Sequence, residues 1–139
     1  MSVVIDASLT MTWYFDDEVS PATEAILDRV SEAGAVVPGL WRLEVANAFQ
    51  SALRRKRISP AYRDESLAGL AQLPITVDAD TDAYVWTTTL RLAERFGLTI
   101  YDATYLELAQ RRSLPLATLD TALRDAAAAL DISLLGLEA

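Results

Sequence analysis

The chain has 139 residues, 52% of them hydrophobic, which is enough for one continuous core, and its 20 acidic against 12 basic residues give a formal charge of −8. It contains no cysteine and no histidine. That composition excludes disulfides, zinc–thiolate sites, thiol catalysis and histidine acid–base chemistry, and it confines any nucleic-acid contact to a local patch rather than the whole surface.

Nothing reads as a linker, repeat or low-complexity segment, so residues 1–139 are expected to form a single domain. The start, Met1 to Asp6, enters an apolar stretch without a basic leader, and no uninterrupted apolar run approaches the roughly 20 residues that cross a bilayer. A cytoplasmic protein with no membrane segment is the expectation.

In chain order, the β-branched run Val3, Val4, Ile5 predicts a strand ending at Asp6, followed by a loop. Ser20 and Pro21 read as N-cap and first residue of a helix that Gly34 stops. Val36 and Val37 predict a second strand before Pro38 and Gly39, and a helix follows from Leu40 to about Arg57. Ser59 and Pro60 start another helix, Ile75 to Val77 reads as strand, and Ala79 to Phe96 as one long helix stopped by Gly97. A helix opening near Tyr101 or Asp102 ends before Pro115, Leu116 to Leu119 reads as strand, Thr121 to Leu130 as helix and Ile132 to Leu137 as a last strand. Strands alternating with helices predict an α/β fold around a parallel sheet.

Four carboxylates sit where a purely structural chain rarely puts them. Asp6 and Asp120 each follow a strand directly, at the carboxyl edge where open parallel sheets bind ligands. Glu44 lies among Leu40, Trp41, Leu43, Val45, Ala46, Ala48 and Phe49, a segment apolar nearly all round, so it is expected to be largely buried and to need a partner. Asp102 opens its helix three residues after Thr99. Each acid also has a purely structural reading: Asp6 and Asp120 as turn residues or N-caps, Asp102 as part of a local cap, and Glu44 in an ion pair with Arg42 or Arg91. Together they favour a metal cluster, and hard oxygen ligands without nitrogen or sulfur select Mg²⁺ or Mn²⁺ over zinc.

Asn47 lies three residues beyond Glu44 and Ser51 four beyond Asn47, which lines these polar groups along one helix stripe able to border a cleft. Arg54, Arg55, Lys56 and Arg57 form a basic cluster, readable either as a contact for RNA phosphate or a protein partner, or as a solvated helix end where cations meet the negative pole of the dipole. Trp13, Tyr14 and Phe15 follow the first acid and are read first as core, with base stacking or partner contact as the alternative; Trp41 and Phe49 are equally ambiguous between core and interface.

In order and local context the acids resemble those of the PIN-domain family. Asp6-Ala7-Ser8 resembles its opening D-x-[ST] motif and Glu44-Val45-Ala46-Asn47 its E-x-x-N helix. Tyr101-Asp102-Ala103 looks like the third acidic element, and Thr118-Leu119-Asp120 is similar to the [ST]-x-D element. Length and the stretch Leu114-Pro115-Leu116-Ala117-Thr118 look like the VapC branch, the small toxins of toxin–antitoxin pairs. The resemblance implies a three-layer α/β/α fold and a ribonuclease dependent on one or two Mg²⁺ or Mn²⁺ ions held by Asp6, Glu44, Asp102 and Asp120. It also implies supporting roles for Ser8, Asn47 and Thr118, a homodimer, and inhibition by a VapB-like antitoxin. The competing expectation is a catalytically inert PIN-like module that only binds protein or RNA. A haloacid-dehalogenase-like phosphatase would need D-x-D where this chain has Asp6-Ala7-Ser8.

Overall fold

The structure, a computed structural model, describes residues 2–136. Five parallel strands form the central sheet in the order β3-β2-β1-β4-β5: β1 Val3–Ile5, β2 Ala35–Val37, β3 Ile75–Val77, β4 Leu116–Ala117 and β5 Leu134–Leu135. Seven α-helices flank it in a three-layer α/β/α arrangement: α1 Ala7–Thr12, α2 Pro21–Ala33, α3 Leu40–Arg54, α4 Pro60–Leu70, α5 Leu90–Phe96, α6 Ile100–Arg112 and α7 Thr121–Ala129. Among the described residues no helix is long and apolar enough to cross a membrane.

The parallel pairing explains the near-continuous apolar strands. Val3, Val4, Ile5, Leu116 and Ala117 are completely buried, as expected when helices cover both faces of a sheet. β1 lies at the centre, with Val4 opposite both Val36 of β2 and Leu116 of β4. Connections leave β1 first towards β2 and later return on its other side at β4, so the strand order reverses there and the carboxyl ends of β1 and β4 open a crevice. The crevice lies where the chain delivers Asp6 and Asp120.

Local signals set most of the helices. Ser20 accepts the Thr23 N–H at 3.2 Å and Thr23 Oγ1 accepts the Ser20 N–H at 2.9 Å, closing a capping box ahead of Pro21. Gly34 and Gly97 end α2 and α5 with φ of 83° and 65°, backbone that side-chain-bearing residues rarely adopt. Phe15 is buried, Tyr14 packs edge-on against Phe49 at 5.6 Å between ring centroids, and Trp13 donates its indole N–H to Thr23 O at 2.9 Å. The aromatic run is therefore core, and so are Trp41 and Phe49.

Five elements differ from the sequence expectation. The loop after Asp6 is the short helix α1, because the Asp6 carboxylate caps it. The expected helix Ala79 to Phe96 is broken into a 3₁₀ turn, Thr81–Tyr84, a π-helical stretch, Val85–Thr89, and α5. Val85, Thr87, Thr88 and Thr89 are β-branched and stiff about χ1, a poor run for regular α-helix. Helix α3 stops at Arg54, three residues short, where Lys56 turns left-handed at φ 60°. The strands expected over Leu116 to Leu119 and Ile132 to Leu137 shorten to Leu116–Ala117 and Leu134–Leu135, with Leu137 outside the described residues.

Candidate metal centre

Asp6 is 6% exposed, and both of its carboxylate oxygens are held. Oδ1 accepts the Leu9 N–H at 2.8 Å, the N-cap bond of α1, and Oδ2 accepts the Thr118 hydroxyl at 2.5 Å. The second bond spans 112 residues of sequence and ties the end of β1 to the end of β4. Burial drives the Asp6 carboxyl upwards; the bonds from Thr118 and Leu9 oppose it, the charges of Asp102 and Asp120 reinforce it, and the result lies at about 6.

Asp120 caps α7 through a 2.8 Å bond from the Leu123 N–H. Its own N–H donates to Thr118 Oγ1 at 3.1 Å, so one threonine hydroxyl organises both aspartates. Arg124 steadies this loop by donating to Thr118 O at 2.7 Å and Leu135 O at 2.8 Å. At Gly136 a Cβ would lie 3.0 Å from Thr118 O on backbone with φ 116°, so a side chain there would press on the same turn.

Asp102 occupies the first turn of α6, whose N-cap is Thr99; the Thr99 hydroxyl accepts the Asp102 N–H at 3.1 Å. The cap is thus Thr99, and the Asp102 carboxylate sits by the positive end of the helix. Its pKa is nevertheless raised, first by burial and then by the charge of Asp120, with the Thr99 hydroxyl opposing.

Glu44 is half-buried rather than largely buried. Helix α3 buries one stripe, Trp41, Val45, Phe49 and Ala52, and leaves Leu43 75% exposed and Ala46 in solvent, so apolar composition overstated its enclosure. The Glu44 partner is neither Arg42 nor Arg91: Oε1 accepts the Tyr105 hydroxyl at 2.5 Å. Burial raises the Glu44 pKa, the Tyr105 bond lowers it, and the charge of Asp102 raises it further. Tyr105 is 1% exposed and its own pKa is pushed upwards by burial and by Glu44, so it is a neutral donor at all working pH. Helix α3 is registered against α1 by Trp41 Nε1, which donates to Thr10 Oγ1 at 3.0 Å while Thr10 donates to Asp6 O at 2.8 Å.

The fold therefore brings Asp6, Asp102 and Asp120 into one electrostatic field, with Glu44 coupled to Asp102. Among the described residues no three carboxylates are gathered tightly enough to hold a metal ion as they stand. The chemistry of the donor set nevertheless fits a hard divalent cation: only oxygen ligands, whose mutual repulsion a bound cation would relieve. Thr118 holds Asp6 directly, while Ser8 and Asn47 are exposed and line a groove beside Glu44.

A PIN domain family model matches residues 3–129. The chain belongs to the PIN domain family. Within the family it is 29% identical over 125 residues to Ribonuclease VapC3 of Pyrobaculum aerophilum, covering 90% of this chain and 94% of that protein. Its fold is similar to VapBC2 from Rickettsia felis, solved bound to a DNA fragment from their promoter, at a TM-score of 0.67, 10% identity and coverage of 99% and 100%. FitAcB from Neisseria gonorrhoeae is similar at a TM-score of 0.62 and 16% identity, covering 95% of each chain.

Tyr105 was not legible as a site residue, because it lies among Leu106 and Leu108 on a helix that reads simply as core. The signal available was weak: a tyrosine three residues after an acid in the first turn of a helix. If Tyr105 positions Glu44 as a ligand, Tyr105→Phe is expected to weaken Mn²⁺ binding by about 10–100-fold with little change in urea midpoint. Unchanged Mn²⁺ affinity by calorimetry would reduce Tyr105 to a packing residue.

Proposed function

We propose that this PIN domain is a divalent-metal-dependent endoribonuclease, the toxin partner of a VapB-like antitoxin, acting in the cytoplasm. The observation that carries the reading is the crevice at the carboxyl ends of β1 and β4, where Thr118 pins Asp6 and the charges of Asp102 and Asp120 meet it. Similarity to Ribonuclease VapC3 over nearly its whole length supports RNA as the substrate, and the likeness to VapBC2 supports the antitoxin.

In this reading Asp6, Glu44, Asp102 and Asp120 hold one or two Mg²⁺ or Mn²⁺ ions. When bound, such an ion lowers the pKa of water and neutralises charge developing on the scissile phosphate, the chemistry that a chain without histidine otherwise lacks. Asp6 cannot rotate, because both oxygens are engaged by Leu9 and Thr118. Tyr105 fixes Glu44 Oε1, and a carboxylate with a raised pKa, such as Glu44 or Asp102, is suited to accept the proton of the attacking water. Ser8 and Asn47 offer hydrogen bonds to phosphate oxygens from the groove wall.

The homodimer is part of the same proposal. Trp86 is 88% exposed and Leu90, one helical turn on, is 51% exposed, an apolar pair suited to a copy of the same face.

Purified protein freed of co-purifying inhibitor is expected to cut structured RNA in Mg²⁺ or Mn²⁺ and to stop in EDTA, and to sediment near twice its 15.2 kDa chain mass. Cleavage that persists in EDTA would sink metal dependence. No cleavage together with no Mn²⁺ binding would leave the inert binding module, and sedimentation at the chain mass would remove the dimer.

A further inference from the structure

We infer that Arg55 forms a second anchoring point for the RNA strand, binding a phosphate a few nucleotides from the cleaved bond. The inference rests on the nuclease reading and adds to it the path of the substrate.

A groove of about 360 Å³ runs between α1 and α3, with Glu44 and Ser8 at one end and Arg55 and Arg57 at the other. Its floor along α3 is a polar stripe, Glu44, Asn47, Ser51 and Arg55, spaced by three, four and four residues and so on one helix face. From Glu44 to Arg55 the helix rises about 16 Å at 1.5 Å per residue, room for several backbone phosphates of an extended strand. Met11, Phe15 and Ala48 supply apolar wall between the polar groups, which suits ribose and base faces.

The geometry separates four cations that are equivalent in sequence. Arg57 is committed: its guanidinium meets Asp17 at 3.1 Å and Glu18 at 3.5 Å and lies 4.5 Å over the Phe15 ring. The second of those pairs also offsets Glu18, the groove acid at the Arg55 end, while Glu44 lies at the other. Arg54 and Lys56 do not line the groove, and Lys56 sits on the left-handed turn that ends the helix. Arg55 lines the groove and makes no ion pair among the described residues.

Charge decides the occupant. Glu44 at one end of the groove, with the charge of Asp102 acting on it, repels phosphate unless a cation is bound, so an extended polyanion gains from a fixed positive charge at the other end. On a chain of net charge −8 that charge must be local, and Arg55 supplies it with the planar donor fork suited to phosphate.

The test measures poly(U) binding across a salt series for wild type, Arg55→Gln, Arg54→Gln and Lys56→Gln, in EDTA, where cleavage is silent, and in parallel in Ca²⁺, which neutralises the carboxylates, with intact RNA confirmed afterwards. Calorimetric Mn²⁺ titration of each protein runs beside it. Arg55→Gln is expected to weaken binding roughly threefold and to make the logarithmic salt slope shallower by about 0.7, the loss of one single-strand phosphate contact. Arg54→Gln and Lys56→Gln are expected to bind like wild type, and all four proteins to bind Mn²⁺ alike. Equal poly(U) affinity and slope for wild type and Arg55→Gln overturn the inference, as does absence of salt-dependent binding by wild type in both media. If Mn²⁺ binds in either case, the nuclease reading stands without it. Arg55-dependent poly(U) binding by a protein that binds no Mn²⁺ would instead retain the groove and remove the nuclease.

Discussion

Replacing Asp6 by Asn is expected to lower RNA cleavage by about a thousandfold or more while the protein stays folded. Several kcal/mol of transition-state stabilisation is the usual scale of a catalytic metal, and three powers of ten correspond to about 4 kcal/mol. The fold should tolerate the change. Asn is as good an N-cap as Asp, so the 2.8 Å bond from Leu9 survives, and the Asn amide can donate to the Thr118 hydroxyl where the carboxylate accepted from it. Asp6→Ala removes the cap as well and should cost about 1 kcal/mol of stability. Asp102→Asn should match Asp6→Asn in activity, since Thr99 rather than Asp102 caps α6.

The same site predicts a pH dependence. Asp6 is held at about 6 by burial, against the bonds from Thr118 and Leu9, and a proton competes with a cation for the carboxylate. Mn²⁺ affinity should therefore be high above pH 6 and fall as the pH drops through it, and the Asp6→Asn variant should lose the part of that dependence centred near pH 6, leaving what Glu44 and Asp102 contribute. An Asn variant that keeps wild-type cleavage and Mn²⁺ affinity would remove Asp6 from the ligand set.

The largest stability loss is expected far from this chemistry, at Arg111. Its guanidinium meets Glu107 at 2.7 Å and Asp78 at 2.7 Å and lies 4.7 Å over the Tyr84 ring, while the Glu107 and Asp78 side chains are only 2% and 3% exposed. Arg111→Met should cost about 3–5 kcal/mol, a large share of the roughly 5–15 kcal/mol that holds a domain together. Most of that loss comes from Glu107. Asp78 keeps Arg112 at 3.3 Å and the Thr81 hydroxyl at 2.7 Å, whereas Glu107 loses its ion-pair partner. Changing Glu107 and Arg111 together to Met should consequently recover much of the stability in urea melts. A double variant no better than Arg111→Met would show that the cost lies in Asp78 or in lost packing.

Asp78 gives the network an acid limit. Burial pushes its carboxyl up, but the hydrogen bonds from Arg111 and Thr81 and the charges of Arg111 and Arg112 hold it down at about 2. A folded pKa below the unfolded value means that its stabilisation, about 2 kcal/mol, is complete above roughly pH 4 and is lost as the pH falls towards 2.

The amino-acid sequence by itself determined the order of the five strands and of every α-helix but α1, because apolar period, Ser–Pro starts and glycine stops act within a few residues of one another. It also determined that only carboxylates could carry metal chemistry and that four of them stand in motif contexts resembling the PIN domain family. The structural readings of Asp6 and Asp120 as N-caps proved true alongside their place at the sheet edge, since capping is what aims each carboxylate. Tertiary structure alone decided which groups meet. Thr118 reaches Asp6 across 112 residues, Tyr105 reaches Glu44 across 61, and Arg111 reaches Asp78 across 33. It decided too that Glu44 is only half-buried, and that Arg55 is the member of the basic cluster left in the groove without an ion pair among the described residues. Local preference depends on neighbours along the chain, whereas these pairings depend on the parallel order of the strands and the packing of helices against them, which no window of sequence contains.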